Sequence, residues 1–268
     1  MSFARRGDFY GLLAFVALLA AFWWVSGYFG IRNQLGNHVP STILSFALLL
    51  GPYWAFGFGI DAWLRQKLET RAVKIACGFV LIVPYLVFAL PRGEFQWSLC
   101  LGLLGMILAV SSILSFAGAE SPSWPDWLTL VLLALAVELH FFDRAWPVPG
   151  LSGLAKLLFV DLALYGYLVV RPIGRVGFDL RLRLSDAWIG LREFAFYAPI
   201  ALVLGFGMGF LHTQAAKGGA FEFAAAWLFT FFFVALPEEL FFRGLLLNMV
   251  ERRVGSTHAL WITSVLFG

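Results

Sequence analysis

Long apolar runs, broken by short polar gaps marked with Pro and Gly, set the pattern of this chain. An apolar run of about 18–20 residues is long enough for one α-helix to cross a hydrocarbon core about 30 Å thick. On that rule the pattern predicts spans at 10–29, 42–60, 75–90, 97–116, 127–142, 151–170, 194–211 and 223–250, with a ninth opening near Thr257. The third and fifth runs are the shortest of these. Asn37-His38-Val39-Pro40 and Trp146-Pro147-Val148-Pro149-Gly150 read as gaps between spans. The stretch Gly205-Phe206-Gly207-Met208-Gly209 reads as a place where helices pack closely. The fold class expected is all-α, a polytopic transmembrane helix bundle with about eight complete spans and a truncated ninth.

Composition makes the membrane reading compulsory. The chain is 61% hydrophobic and 13% charged, with a mean hydropathy of +0.84. Soluble domains run at about 45–50% apolar and roughly 25% charged. A net charge of +3, scattered between apolar runs, excludes a nucleic-acid partner and leaves the lipid bilayer as the main one. Cys77 and Cys100 stand alone, so neither a disulfide framework nor a Cys-based zinc site is expected. The run at 10–29 follows Arg5-Arg6 and is too long for a cleaved leader; it reads as a signal anchor.

Charge then orients the layout. Arg5, Arg6, Arg65, Lys67, Arg71, Lys74, the Arg residues from 171 to 192, Arg252 and Arg253 fall in alternate gaps on the N-terminal side. Only Arg32, Arg92, Arg144 and Lys217 fall on the other. That bias places the N-terminus in the cytoplasm and suits a bacterial plasma membrane. Residues 178–193 mix Arg181, Arg183, Asp186, Arg192 and Glu193 with Leu, Trp188 and Ile189. They read either as an amphipathic helix on the inner face or as a cytoplasmic loop. A boundary is expected there, between N-terminal helices over 1–190 and a motif-bearing unit over 191–268.

One stretch concentrates charge inside an apolar run: Leu236-Pro237-Glu238-Glu239-Leu240-Phe241-Phe242-Arg243-Gly244. Each isolated mid-membrane charge costs about 2.5–3.5 kcal/mol on insertion scales. At 1.5 Å per residue, Glu239 lies roughly 16 Å above Val250, near mid-membrane. Glu239 and Arg243 are spaced to share a helix face. Glu238 lies about 100° around the helix from Glu239, so both carboxylates are expected to border one cavity. Two other readings fit the spacing. Pro237-Glu238-Glu239 suits the first turn of a surface helix after a span ending at Leu236. Alternatively, Glu239 and Arg243 form a structural pair with no catalysis. Asp161 is a second buried acid, expected to meet a partner on another helix, and Glu138 sits near a span end where it reaches water. His38, His140 and His212 read as interfacial, and His258 as too far from Glu239 to touch it.

Glu238-Glu239-x-x-x-Arg243 followed by Gly244 resembles the first motif of the CAAX prenyl endopeptidase and bacteriocin-processing family. The surrounding order agrees: Pro237 before the acids, Phe242 beside Arg243, a basic Glu251-Arg252-Arg253 turn, then a second apolar helix ending in Phe267-Gly268. In the family that helix carries Phe-x-x-x-His, which Phe267 and Gly268 match, with the His position lying three residues past Gly268. The resemblance is firm over 233–268 and loose back to 194.

The resemblance implies an intramembrane endopeptidase acting on a membrane-embedded or lipid-modified peptide or protein. Glu238 and Glu239 would be the catalytic carboxylates, one acting as acid while the other stays ionised. Arg243 would neutralise and orient them, and the family's later His and Asn would hold the oxyanion. The cofactor is left open between none and a divalent metal; two adjacent Glu with no His at ligand spacing give no metal site of their own. A chain ending at Gly268 is expected to be inactive. The rivals are a non-enzymatic membrane protein, such as an immunity or scaffold factor, and a small ion- or proton-coupled transporter, against which the lack of a visible repeat counts.

Overall fold

The computed structural model describes residues 3–118, 122–174, 178–180, 184–213 and 219–267. Gly268 and several basic residues of the charge argument (Arg175, Arg181, Arg183 and Lys217) lie outside the described residues. All elements described are helical, with no strand among them. In chain order they are α1 (Phe3–Tyr28), α2 (Ile31–Gly57), α3 (Ile60–Lys67), α4 (Arg71–Arg92), α5 (Trp97–Ser115) and α6 (Trp124–Glu138). Then come α7 (Leu154–Tyr165, continued by a π turn over Gly166–Val170), α8 (Leu184–Gly207), α9 (residues 220–254) and α10 (Ser256–Phe267).

Among the described residues, five stretches are long and apolar enough to cross a membrane: Gly11–Tyr28, Ile31–Gly57, Arg71–Arg92, Trp97–Ser115 and Trp188–Gly207. The protein is thus an all-helical integral membrane protein. The remaining predicted spans differ in kind. At 15 residues, α6 falls short of the usual crossing length, and α9 opens with an apolar α-helical stretch, Ala220–Thr230, that is 11 residues long before it passes into a π turn. Several gaps also close up. Asn37-His38-Val39-Pro40 lies inside α2, because a 3₁₀ turn over Gly36–His38 leads straight into a helix with Pro40 in its first turn, where a missing N–H costs nothing. The expected boundary between residues 190 and 191 falls within α8, since Trp188, Ile189 and Leu191 carry the apolar helix across it.

The core forms around α7. From Leu154 to Val170 every residue is buried except Lys156. A helix that is apolar all round must be enclosed, and α2, α4, α5 and α6 enclose this one. Trp146 in the α6–α7 connection is fully buried, and its indole N–H donates to Ser45 Oγ at 3.3 Å. By contrast, the Trp188–Gly207 stretch of α8 has no buried residue. The glycines at its end therefore do not serve helix packing. They terminate the helix, with Gly209 at a φ of +75° and the amides of Phe210 and Leu211 both returning to Gly205 O.

Asp161, on α7, is 1% exposed, and neither carboxylate oxygen has a hydrogen-bond partner among the described residues. The expected partner on another helix is missing; the hydroxyl of Tyr53 is committed to Leu157 O at 3.1 Å. A buried polar group without a partner costs about 1–3 kcal/mol. Asp161→Leu is therefore expected to raise stability by that order, seen as a higher Tm in detergent. A lower Tm would show that the carboxyl is satisfied in the membrane.

A single residue, Gly255, joins α9 to α10. Its φ of +81° with ψ of 165° is backbone essentially reserved for glycine. Gly255→Ala is expected to cost about 1–3 kcal/mol and to loosen α10 from α9, giving a lower Tm and faster proteolysis at this turn. An unchanged Tm would contradict this account of the turn.

Candidate functional site

The motif stands in the middle of α9. The helix runs unbroken through Leu236 and Pro237, so Pro237-Glu238-Glu239 does not begin a surface helix. Pro237 supplies no N–H, and the chain is wound as π turns on both sides of it, over Phe231–Ala235 and Leu240–Leu247. Wider turns of this kind re-aim side chains and free backbone carbonyls. Where the second returns to α-helix, Asn248 Nδ2 donates to Arg243 O at 2.9 Å and to Gly244 O at 3.1 Å. Asn248 belongs to the site's support, and an amide in an apolar run just after the motif was the available signal for it.

The three motif side chains do not share one cavity. Arg243 Nε meets Glu239 Oε2 at 3.0 Å, with the side chains 75% and 46% exposed. Both line a hollow of about 440 Å³ between α9 and α10, together with Thr263 and Ser264. Glu238 turns the other way. It is half-buried and lines a cavity of about 270 Å³ between α9 and the ends of α6 and α7. The expectation that both carboxylates border one cavity is thus corrected. The angle of about 100° between neighbouring helix positions separates them here, because helices pack against both faces of α9. The backbone of Phe267 ends α10, and Gly268 lies outside the described residues.

The cavity facing Glu238 holds two charges absent from the motif. Glu138 ends α6, and Lys156 lies in the first turn of α7. Neither makes an ion pair or a side-chain hydrogen bond with Glu238, with the other, or with any other described residue. Glu138 is exposed, as its place near a span end predicts; Lys156 is half-buried. The rest of the wall is apolar, including Leu133, Phe159 and Phe241. No histidine lines either hollow among the described residues, and no group of three or more His, Cys, Asp or Glu is placed to hold a metal among them.

At the far end of α9 a second polar cluster fixes the helix to the bundle. Arg253 donates from Nε to Pro122 O at 3.1 Å and also from Nη2 to the same oxygen. Next to Pro122, Ser123 donates its N–H to Asp126 Oδ2 at 2.7 Å at the start of α6. Asp126 is 0% exposed and is gripped by Arg171, through Nε on Oδ1 and through Nη2 on Oδ2 at 2.9 Å. Tyr167 Oη–H adds a bond to Asp126 O at 2.6 Å. Arg65 donates to Leu168 O at 3.1 Å nearby. Basic residues that the sequence reading put on one side of the membrane thus meet at one end of the bundle.

No curated protein and no solved structure matches the chain. Residues 220–268, which contain Glu238, Glu239, Arg243 and α10, match the family model described as type II CAAX prenyl endopeptidase Rce1-like.

Proposed function

We propose that the protein is an intramembrane endopeptidase of the CAAX-protease type, with Glu238 as the carboxylate that activates water. The observation that carries this reading is the placing of Glu238. It is half-buried, free of any ion pair among the described residues, and set at the wall of a cavity with room for several waters. Glu239, held by Arg243, is instead a fixed charge on the other face of the same helix turn. The match over 220–268, which contains both carboxylates, supports the protease reading.

In this reading Glu238 takes a proton from water as the hydroxyl attacks a peptide carbonyl, then returns it to the leaving amine. The ion pair of Glu239 and Arg243 holds the electrostatics of the turn constant while Glu238 changes protonation. In the family's order, the His and Asn that hold the oxyanion follow the Phe267 position. The substrate proposed is a membrane-embedded or lipid-modified peptide. The basic end of the bundle, with Arg65, Arg171 and Arg253, is placed in the cytoplasm of a bacterial cell together with the N-terminus.

The test uses the protein as its gene encodes it, reconstituted in lipid with a library of apolar peptides and read by product mass. Hydrolysis that disappears in Glu238→Gln supports the proposal. Its persistence at the wild-type rate in that variant, or its absence from folded wild-type protein across the library, removes it.

A further inference from the structure

Lys156 breaks the pattern of its helix. It is the single position between Leu154 and Val170 that is not buried, and the space it faces is the cavity of Glu238. An ammonium at the wall of a membrane cavity is disfavoured until an anion meets it. None of the described residues does so. Asp161, on the same helix, is buried and does not line the cavity. Glu138 is exposed at the end of α6, where water screens it. Glu238 shares the cavity without pairing. The two half-buried charges are thus one carboxylate suited to activating water and one cation with no described partner, joined by a wall of Leu133, Val137, Phe159 and Phe241. Such a wall accepts an apolar chain, and the cation accepts a negative group at its end.

We propose that Lys156 is a ligand-anchoring residue that binds a terminal carboxylate on an apolar chain held in this cavity. Two sources share that chemistry: the free C-terminus of a membrane-embedded peptide and the carboxylate of an acyl chain. The role as a substrate anchor rests on the reading of Glu238 given above; the binding does not. A peptide end fixed at Lys156 would present an amide bond near that end to Glu238. The residue lies outside the stretch that matches the Rce1-like model, on a helix of the N-terminal bundle.

The test measures binding rather than turnover. A fluorescent apolar heptapeptide, prepared as the free acid and as the carboxamide, is titrated against the protein in lipid nanodiscs, with laurate as a competitor. The acid is expected to bind about 10- to 100-fold more tightly than the amide, as for a charge-assisted contact. Lys156→Met should erase that preference and leave amide affinity unchanged, which also shows that the variant is folded. Lys156→Arg should retain a preference. Displacement of the peptide by equimolar laurate assigns the site to acyl carboxylates, and failure of laurate to compete assigns it to peptide ends. Equal affinity of acid and amide for the wild type, a preference that survives Lys156→Met, equal losses for both peptides, or no binding of either would each overturn the proposal. A protein that binds the acid through Lys156 yet cleaves nothing would remove the protease reading alone.

Discussion

Glu238→Gln is expected to reduce peptide hydrolysis by roughly a hundredfold to ten-thousandfold, the range for a positioned general base. Glutamine keeps the size and a hydrogen-bond acceptor but cannot take the proton from water, so substrate binding should stay near the wild-type level. Glu239→Gln is expected to behave differently, although the two residues are adjacent. It breaks the 3.0 Å contact with Arg243 on the face turned toward α10, where both side chains are substantially exposed. An exposed pair is worth ~0–1 kcal/mol, so the loss of rate should stay below about tenfold. Comparing kcat for the two variants checks the assignment. Equal, large losses would mean that the carboxylates act as one unit, and a larger loss for Glu239→Gln would exchange their roles.

The second large effect concerns stability. Asp126→Ala is expected to destabilise the protein by about 3–5 kcal/mol, because it removes the buried carboxylate that the Arg171 guanidinium grips at two points. Arg171→Met should cost a similar amount by stranding Asp126. The double variant Asp126→Leu with Arg171→Met is expected to lose less than either single variant, since both members of the buried pair are removed together. Thermal unfolding in detergent separates these outcomes. Additive losses in the double variant would show that the pair is not coupled. Activity should fall along with stability in Asp126→Ala, because Ser123 and Pro122 stand between this pair and Arg253, which fixes the end of α9.

The helices were legible because apolar runs long enough to cross a bilayer have no other stable home. Their ends were less so. Pro40 looked like a break, yet proline is tolerated in a first turn, so α2 continues through it. The polar residues before Phe194 looked like a separate segment, but Trp188, Ile189 and Leu191 extend α8 back to Leu184. The motif was legible as residue types at fixed spacing, and with it the Glu239–Arg243 pair. What spacing could not give was the face each side chain takes, because that depends on which helices pack on either side of α9 and on the π turns around Pro237. Lys156 and Glu138 come to line the same cavity as Glu238 only through tertiary structure. Arg171 is 45 residues further along the chain than Asp126, and nothing local in the sequence links the two.

The central claim is that this protein hydrolyses a peptide bond with water activated by Glu238. The most direct measurement is cleavage in ¹⁸O-labelled water by the lipid-reconstituted protein as its gene encodes it, with product masses read before and after Glu238→Gln. The account predicts two products whose masses sum to substrate plus one water, with the label in the new carboxylate and no products from the variant. Labelled products formed equally by Glu238→Gln, or an intact substrate with folded wild-type protein, would contradict it.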